Sequence, residues 1–390
     1  MDPFDRLPWF AVRDILCLLP DLPTLHRLHA ASPAIAAFLR YEDGIFPYIV
    51  ETIISHNKCD LGLLPPVRAL LRMLVFIWWQ TSPSESNSEL KVGTNPLPTT
   101  YEEFYRRFAA YMGSTLDQNG RTCFMHPWED LEPSYADAPL PKSTPPIILC
   151  RLLSLSSRVR QIIHVYFHDM VARCMMLQPG YDLNDMPFLD PKAILPDSSG
   201  RPEVRIPTDI GPLSWIEEQR LLRSFLRIYV FFELQHAILA GGLYNTEKAA
   251  LSLQEDNIHS FKNKLRPIIP QDSQIGSLIE WLVFETGSID KIEHWMTSAS
   301  IPKTAIYCCP HFRPLTARQL KWREDNLGRL TEKIPFRLPP ETFMVPNSPR
   351  RFGAAYGHYI FGLFGVYFWD GMRVKALGFI KPGMNVGLEE

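Results

Sequence analysis

Prolines divide the N-terminal stretch, residues 5–39, into three short segments that repeat apolar residues at helical spacing. The first segment has five such positions: Leu7, Ala11, Ile15, Leu18 and Leu19. Apolar residues three and four positions apart line one face of a helix. Because proline lacks an amide proton and restricts the residue before it, the two prolines of residues 19–23 predict a break. The chain is therefore expected to begin with short, separate helices.

The next two segments continue this pattern. Apolar and amphipathic residues of the second segment are Leu22, Leu25, Leu28 and His29, and those of the third are Ile35, Ala36, Phe38 and Leu39. Between the two segments, Ser32 is suited to cap a helix and Pro33 to occupy its first position. Three helices are thus predicted before residue 40.

Several of these residues occur in a recognisable order: a Leu-Pro start, an Ile-Leu pair, an apolar-Leu-Pro, a leucine-rich second helix and a serine before the third. The matching positions are Leu7, Pro8, Ile15, Leu16, Leu18, Leu19, Pro20, Leu22, Leu25, Leu28 and Ser32. This order resembles the F-box, the three-helix module of cullin-RING ubiquitin ligase adaptors, and the whole chain looks like a fungal F-box protein. Two departures stand out: Trp9-Phe10 replaces a polar residue and a glutamate, and Pro33 stands where a lysine or arginine is common.

The resemblance implies a substrate adaptor that binds the Skp linker subunit, and through it a cullin, while another part of the chain binds an unknown protein substrate. The residues expected to serve the linker interface or the module's own core are Leu7, Pro8, Ile15, Leu16, Leu19, Pro20, Leu25 and Leu28. Sequence does not divide these two roles, although Ile15 and Leu16 are the expected apolar anchors. Such adaptors carry out no chemistry, so no enzyme activity, catalytic residue or cofactor is expected.

An alternative interpretation fits the same spacing. Leucines at helical spacing are also expected in the core of a helical hairpin that caps the main domain. The chain would then be a non-catalytic helical interaction protein with a degenerate F-box-like hairpin. Exposure of the apolar residues in the isolated chain would favour the partner-binding interpretation, because large exposed apolar patches mark interaction sites.

The rest of the chain predicts a mostly α fold, with an F-box-like module at 1–57 and one large irregular helical domain at 58–390. Neither a two-residue alternation nor an internal repeat is visible, so few strands are expected. Helices are expected at 45–54, 66–80, 101–112, 147–177, 213–240, 246–254, 256–264, 275–286, 289–297, 316–330 and 359–370. The 35 prolines among 390 residues exceed the usual share of about 5 %. They predict long irregular connections at 81–99, 117–146, 178–212 and 335–350.

The helix at 213–240 has the most defined sequence signals. Ser214 and Glu217 form a capping-box pattern, in which each side chain bonds the backbone amide of the other residue. Its inner face is predicted to carry Ile216, Leu221, Phe225, Ile228, Phe232 and Leu239, and its solvated side Arg220, Arg223 and Arg227.

Motifs for phosphate binding, for a serine nucleophile and for zinc proteases are absent from the sequence. His164 and His168, four residues apart, could direct two imidazoles at one ion. They are interpreted as polar residues on the less buried side of a helix. The cluster of Cys308, Cys309 and His311 lacks a second ligand pair at zinc-site spacing, so no metal is predicted.

Net charge, apolar runs and cysteine usage restrict the expected partners and the expected location of the protein. Net charge is −2 at pH 7, which gives no electrostatic case for nucleic acid. The longest apolar runs are shorter than the roughly 20 residues that span a membrane, so no membrane partner is expected. Seven scattered cysteines without framework spacing are typical of reduced thiols. The expected location is the cytoplasm or nucleus, and secretion is not expected.

Overall fold

The computed structural model describes the chain in eight ranges: 2–42, 44–55, 62–81, 139–177, 206–240, 258–264, 270–298 and 362–379. It also describes the strand positions 115–116 and 122–123 and the single positions 314, 317, 320 and 321. The predicted helices at 101–112 and 246–254, most of the one at 316–330, and most of the proline-rich connections lie outside these residues. So does the cluster of Cys308, Cys309 and His311.

The described residues are mostly helical, which confirms the predicted fold class. The helices are α1 (Trp9–Cys17), α2 (Leu22–Ala31), α3 (Pro33–Tyr41), α4 (Ile45–Ser55), α5 (Pro65–Thr81), α6 (Pro146–Met175), α7 (Trp215–Leu239), α8 (Ile258–Lys264), α9 (Pro270–Thr286), α10 (Ile292–Ser298) and α11 (Gly371–Ala376). Two 3₁₀ helices span Pro3–Arg6 and Ile289–Lys291. Strands β1 (Thr115–Leu116) and β2 (Thr122–Cys123) pair antiparallel. Among the described residues, no helix has the length and apolar character that a membrane span requires.

Two compact units make up the chain. Unit 1 comprises Met1–Gln161, Leu226–Glu255 and Asn326–Thr331; unit 2 comprises Ile162–Phe225, Asp256–Asp325 and Glu332–Glu390. Helix α6 belongs to unit 1 up to Gln161 and to unit 2 beyond it, and α7 belongs to unit 2 up to Phe225 and to unit 1 beyond it. The predicted boundary after residue 57 stays a prediction, because residues 56–61 lie outside the described part of the chain.

In unit 1, the N-terminal helices pack on one another around α4, and α1 contacts α4 most extensively. Helix α4 buries apolar residues along its length: Phe46, Ile49, Val50, Ile53 and Ile54. Arg72 of α5 donates a hydrogen bond from Nη2 to Glu51 Oε1 of α4 at 2.5 Å. The backbone amide of Leu140 donates to the other oxygen of this carboxylate at 3.0 Å. The partly buried Glu51 carboxylate thus joins α4 to α5 and to the segment at Leu140.

Local signals set the ends of α2 and α3. The Asp21 side chain accepts from the amide of Thr24 at 2.7 Å and begins α2. Ser32 Oγ accepts from the amide of Ile35 at 3.1 Å, and Pro33 occupies the first turn of α3. The predicted Ser32 cap is therefore confirmed.

The core of unit 2 is aromatic and centres on Tyr166 of α6. Its ring makes edge-to-face contacts with Phe225, Trp281 and Phe368 at centroid distances of 6.2, 5.1 and 5.4 Å. Such pairs add about 0.5–1.5 kcal/mol each beyond the burial of area. Aromatic rings from three separate parts of the sequence thus meet at one residue.

The capping box of α7 is confirmed, but its predicted solvated side is wrong. The amide of Ser214 donates to Glu217 Oε2 at 2.8 Å, and the amide of Glu217 donates to Ser214 Oγ at 3.3 Å. The three arginines predicted to face solvent, Arg220, Arg223 and Arg227, are all buried. Arg220 donates a hydrogen bond to the carbonyl oxygen of Trp369 at 3.0 Å. A polar group from outside the helix therefore stabilises this buried guanidinium. Leu239, predicted for the inner face, is exposed.

The predicted helix at 359–370 is also corrected where it is described. Residues 362–370 form successive buried turns, and the helix of this region, α11, begins at Gly371. Gly365 has φ +67°, a left-handed conformation that interrupts a helix. The amide of Phe368 donates to the Gly365 carbonyl at 2.9 Å and continues the turns.

Replacing Gly365 by alanine is expected to destabilise unit 2. An added Cβ would lie 2.8 Å from Trp369 Cζ2 and 3.1 Å from Met170 Cγ, both in the core. Overpacking of a core costs about 1–3 kcal/mol, and the left-handed conformation adds about 1–2 kcal/mol. Gly287→Ala is the matched control, because Gly287 has φ +72° and no atom within 4 Å of the added Cβ. Urea unfolding of both variants should show the larger loss for Gly365→Ala, and equal losses would contradict the crowding.

Candidate partner-binding surface

Helix α1 buries only some of its apolar residues. Val12 and Leu16 point into the core, and Leu16 is 0 % exposed. Ile15 is 39 % exposed and Leu18, the residue that caps the helix, is 71 % exposed. Helix α1 carries apolar residues on several sides, and its packing against α4 decides which of them are covered.

The side chains left outside form what we call the α1 apolar surface: Leu7, Trp9, Phe10, Ile15 and Leu18. All five are exposed, with Trp9 at 57 % and Phe10 at 52 %. Full burial of one large apolar side chain is worth about 1.5–3 kcal/mol. These five side chains are therefore available for contact with another molecule.

The eight residues predicted from the F-box resemblance separate into three groups. Leu7, Pro8, Ile15 and Pro20 are exposed; Leu16 and Leu25 are buried; Leu19 and Leu28 are half-buried. Of the predicted Ile15-Leu16 anchor pair, therefore, only Leu16 is buried and Ile15 is exposed. Trp9 and Phe10 belong to the exposed group, although they were noted in the sequence only as departures from the family pattern.

Hydrogen bonds to Asp2 hold the segment that leads into α1. The Asp2 carboxylate accepts from Ser32 Oγ at 2.6 Å, from the amide of Ala34 at 3.0 Å and from the amide of Phe4 at 3.0 Å. The hydrogen bond from Ser32, followed by those from the two amides, lowers the pKa of Asp2. These hydrogen bonds join the Pro3–Arg6 turn to the start of α3 and so position Leu7 and Pro8.

Charge on α1 is confined to one pair beside the apolar side chains. Arg13 Nη2 donates to Asp14 Oδ1 at 2.8 Å, and the Arg13 guanidinium lies 5.3 Å from the Trp9 ring centroid. The hydrogen bond to Asp14 raises the pKa of Arg13. The pair is exposed, so it contributes little to stability and can orient Trp9 at the surface.

A buried ion pair fixes α2, which follows the surface, to helix α6. Arg160 Nη1 donates to Asp21 Oδ2, and both side chains are nearly buried. Asp21 could be recognised in the sequence as a helix cap, but its partner lies 139 residues away and had no local signal. The site is therefore built on a rigid attachment that sequence reasoning missed.

The contact between Cys150 and His29 in unit 1 shows no activated chemistry. Cys150 Sγ lies 3.9 Å from His29 Nε2. Burial raises the pKa of the Cys150 thiol and lowers the pKa of the His29 imidazole. A thiol with a raised pKa is a poor nucleophile, since the thiolate is the reactive form. This pair is accordingly a packing contact.

Comparison with known proteins adds no relative. A scan against protein-family models, a search of curated proteins and a search of solved structures each found no match. The functional argument therefore depends on the residues and their geometry.

Proposed function

We propose that this protein is the substrate-recognition adaptor of a Skp–cullin–F-box ubiquitin ligase. The α1 apolar surface would bind the Skp linker subunit, and residues 58–390 would bind the protein substrate. The observation that carries this proposal is the exposure of Leu7, Ile15 and Leu18 in a helical module in which Leu16, Leu22 and Leu25 are buried. Exposed apolar groups of this size are typical of interaction surfaces.

The proposed activity requires no chemical step by this chain. An adaptor holds its substrate near the ubiquitin-charged enzyme and so raises the effective concentration of the substrate. The rigid attachment of the module supports this role, because the Asp21–Arg160 and Glu51–Arg72 pairs tie α2 and α4 to α6 and α5. No enzyme activity and no cofactor are proposed, and the proposed location is the cytoplasm or nucleus.

Ile15→Asp and Leu18→Asp are each expected to weaken binding of the full chain to the purified Skp linker. Burial of a carboxylate at an apolar contact is costly. Loss of a central contact of about 2 kcal/mol corresponds to about 30-fold in affinity. Isothermal titration with the linker measures the change, and circular dichroism should stay unchanged because both positions are exposed.

Two further variants separate binding from folding. Ile147→Asp makes the same substitution at another exposed isoleucine, 74 % exposed on α6, and should bind the linker normally. Leu16→Asp places a carboxylate in the core and should unfold the module. Normal linker binding by folded Ile15→Asp and Leu18→Asp proteins would show that the α1 apolar surface is not the interface.

The second candidate function is a helical interaction protein that binds no Skp linker. The exposed aromatic rings of Trp9 and Phe10 favour it, since they stand where the F-box pattern has a polar residue and a glutamate. Co-purification of the full chain with the Skp linker discriminates between the two functions. Absence of a complex with the unsubstituted chain favours this second function.

A further inference from the structure

Two imidazoles on helix α6 lie side by side, away from the α1 apolar surface in the sequence. His164 Nε2 and His168 Nε2 are 3.1 Å apart, and their rings stand at 83° to each other with centroids at 4.3 Å. His168 is exposed and His164 is half-buried. Residues four positions apart share one helix face, so the fixed backbone of α6 holds both rings in place.

The separation of the two nitrogens matches that of two ligands on one metal ion. Imidazole nitrogens bind zinc at about 2.0–2.1 Å. Two such nitrogens stand about 3.4 Å apart at the tetrahedral angle and about 2.9 Å apart at a right angle, by the same bond length. The observed distance of 3.1 Å falls between these values, so the spacing of the two nitrogens is compatible with one shared ion.

We propose that His164 and His168 bind a divalent transition-metal ion, zinc or copper, through their Nε2 atoms. Imidazole ligands suit zinc, copper and nickel, and copper(II) binds such sites most strongly of the divalent first-row ions. Calcium and magnesium are excluded because they need oxygen ligands. This site lies in unit 2 and is independent of the proposed adaptor function.

The carboxylate of Asp169, next to His168 in the sequence, is engaged by other residues. Asp169 Oδ2 forms an ion pair with Arg173 Nη2 at 2.7 Å. It accepts a hydrogen bond from Trp281 Nε1 at 2.9 Å, which ties α6 to α9. Within the described part of the chain, no group of three or more His, Cys, Asp and Glu side chains could hold a metal. The proposed site therefore has two protein ligands from the described residues and leaves coordination positions for water or for a group from another molecule.

The surroundings of His164 favour its neutral form. Burial, followed by the charge of His168, lowers the pKa of His164, and the neutral imidazole is the form that binds metals. The same geometry also fits an N–H···N hydrogen bond between two neutral rings. Metal binding and a simple hydrogen bond differ in what added metal does, and the test uses that difference.

The test titrates the full chain with zinc chloride in a calorimeter and with copper(II) under electron paramagnetic resonance. One ion should bind per chain, and the copper spectrum should show hyperfine coupling to two imidazole nitrogens. His164→Ala and His168→Ala should each weaken binding by about 10²-fold, because one ligand loses the effective concentration supplied by the other. His294→Ala, at an exposed histidine on α10, should change nothing.

Thermal unfolding gives a second measurement. A metal that binds only the folded chain raises Tm, so zinc should raise the Tm of the native chain and of His294→Ala but not of His164→Ala/His168→Ala. Unchanged binding in this double variant, or a copper spectrum without two-nitrogen coupling, would overturn the proposal and leave the pair as a hydrogen bond.

Discussion

Replacing Glu217 by alanine is expected to lower the free energy of unfolding by about 3–5 kcal/mol, the cost of breaking a buried ion pair from one side. Glu217 and Arg373 both have side chains with 0 % exposure, and Arg373 Nε donates to Glu217 Oε1 at 2.9 Å. The same carboxylate accepts from the amides of Ser214 and Asp370 at 2.8 and 3.0 Å. The variant therefore loses the α7 cap and leaves a buried guanidinium without this carboxylate.

The control for Glu217 lies on the same helix. Glu233 accepts from Arg151 at 2.7 Å, but the arginine side chain is 54 % exposed, so Glu233→Ala should cost less than about 1 kcal/mol. Urea unfolding measures both variants. Arg373→Met alone and combined with Glu217→Ala completes a double-mutant cycle, and strict additivity of the two losses would contradict direct pairing.

Asp21→Ala is expected to lower the free energy of unfolding by about 3 kcal/mol or more, because two functions of one carboxylate disappear. One oxygen caps α2 at the amide of Thr24, and the other accepts from buried Arg160. Guanidinium chloride unfolding, followed by far-ultraviolet circular dichroism, measures the loss.

Two further variants separate the contributions of the cap and of the ion pair to this loss of stability. Asp21→Asn keeps an oxygen for the cap but removes the charge, so it should recover about 1 kcal/mol relative to Asp21→Ala. Asp14→Ala removes an exposed aspartate, 61 % exposed and paired with Arg13, and should be nearly neutral. If Asp14→Ala and Asp21→Ala lower stability equally, the buried pair does not join α2 to α6 as described.

Helix positions followed from the sequence wherever local residues mark their ends. The predicted segments at 45–54 and 66–80 correspond to Ile45–Ser55 and Pro65–Thr81. The predicted segment at 147–177 corresponds to Pro146–Met175. Proline at a helix start and a polar cap act within three or four residues, so neighbouring letters are enough to predict them.

The orientation of each helix could not be predicted in the same way. Ile15 and Leu16 are adjacent, and the sequence did not divide them between core and interface; in the structure only Leu16 is buried. The arginines of α7 were predicted to face solvent because charge normally does. They are buried where carbonyl or amide oxygens from distant segments accept hydrogen bonds, as Trp369 does for Arg220 and Gln274 for Arg223.

The amino-acid sequence by itself determined the mostly helical class, the caps at Ser32 and Ser214, and the N-terminal order of residues from which the adaptor function is proposed. Only the tertiary structure decided which residues of α1 stay exposed and which charges pair in the core. The physical reason is distance along the chain: Arg373 and Glu217 are 156 residues apart. Contacts of that kind depend on how helices pack, whereas a cap depends on the residues of one turn.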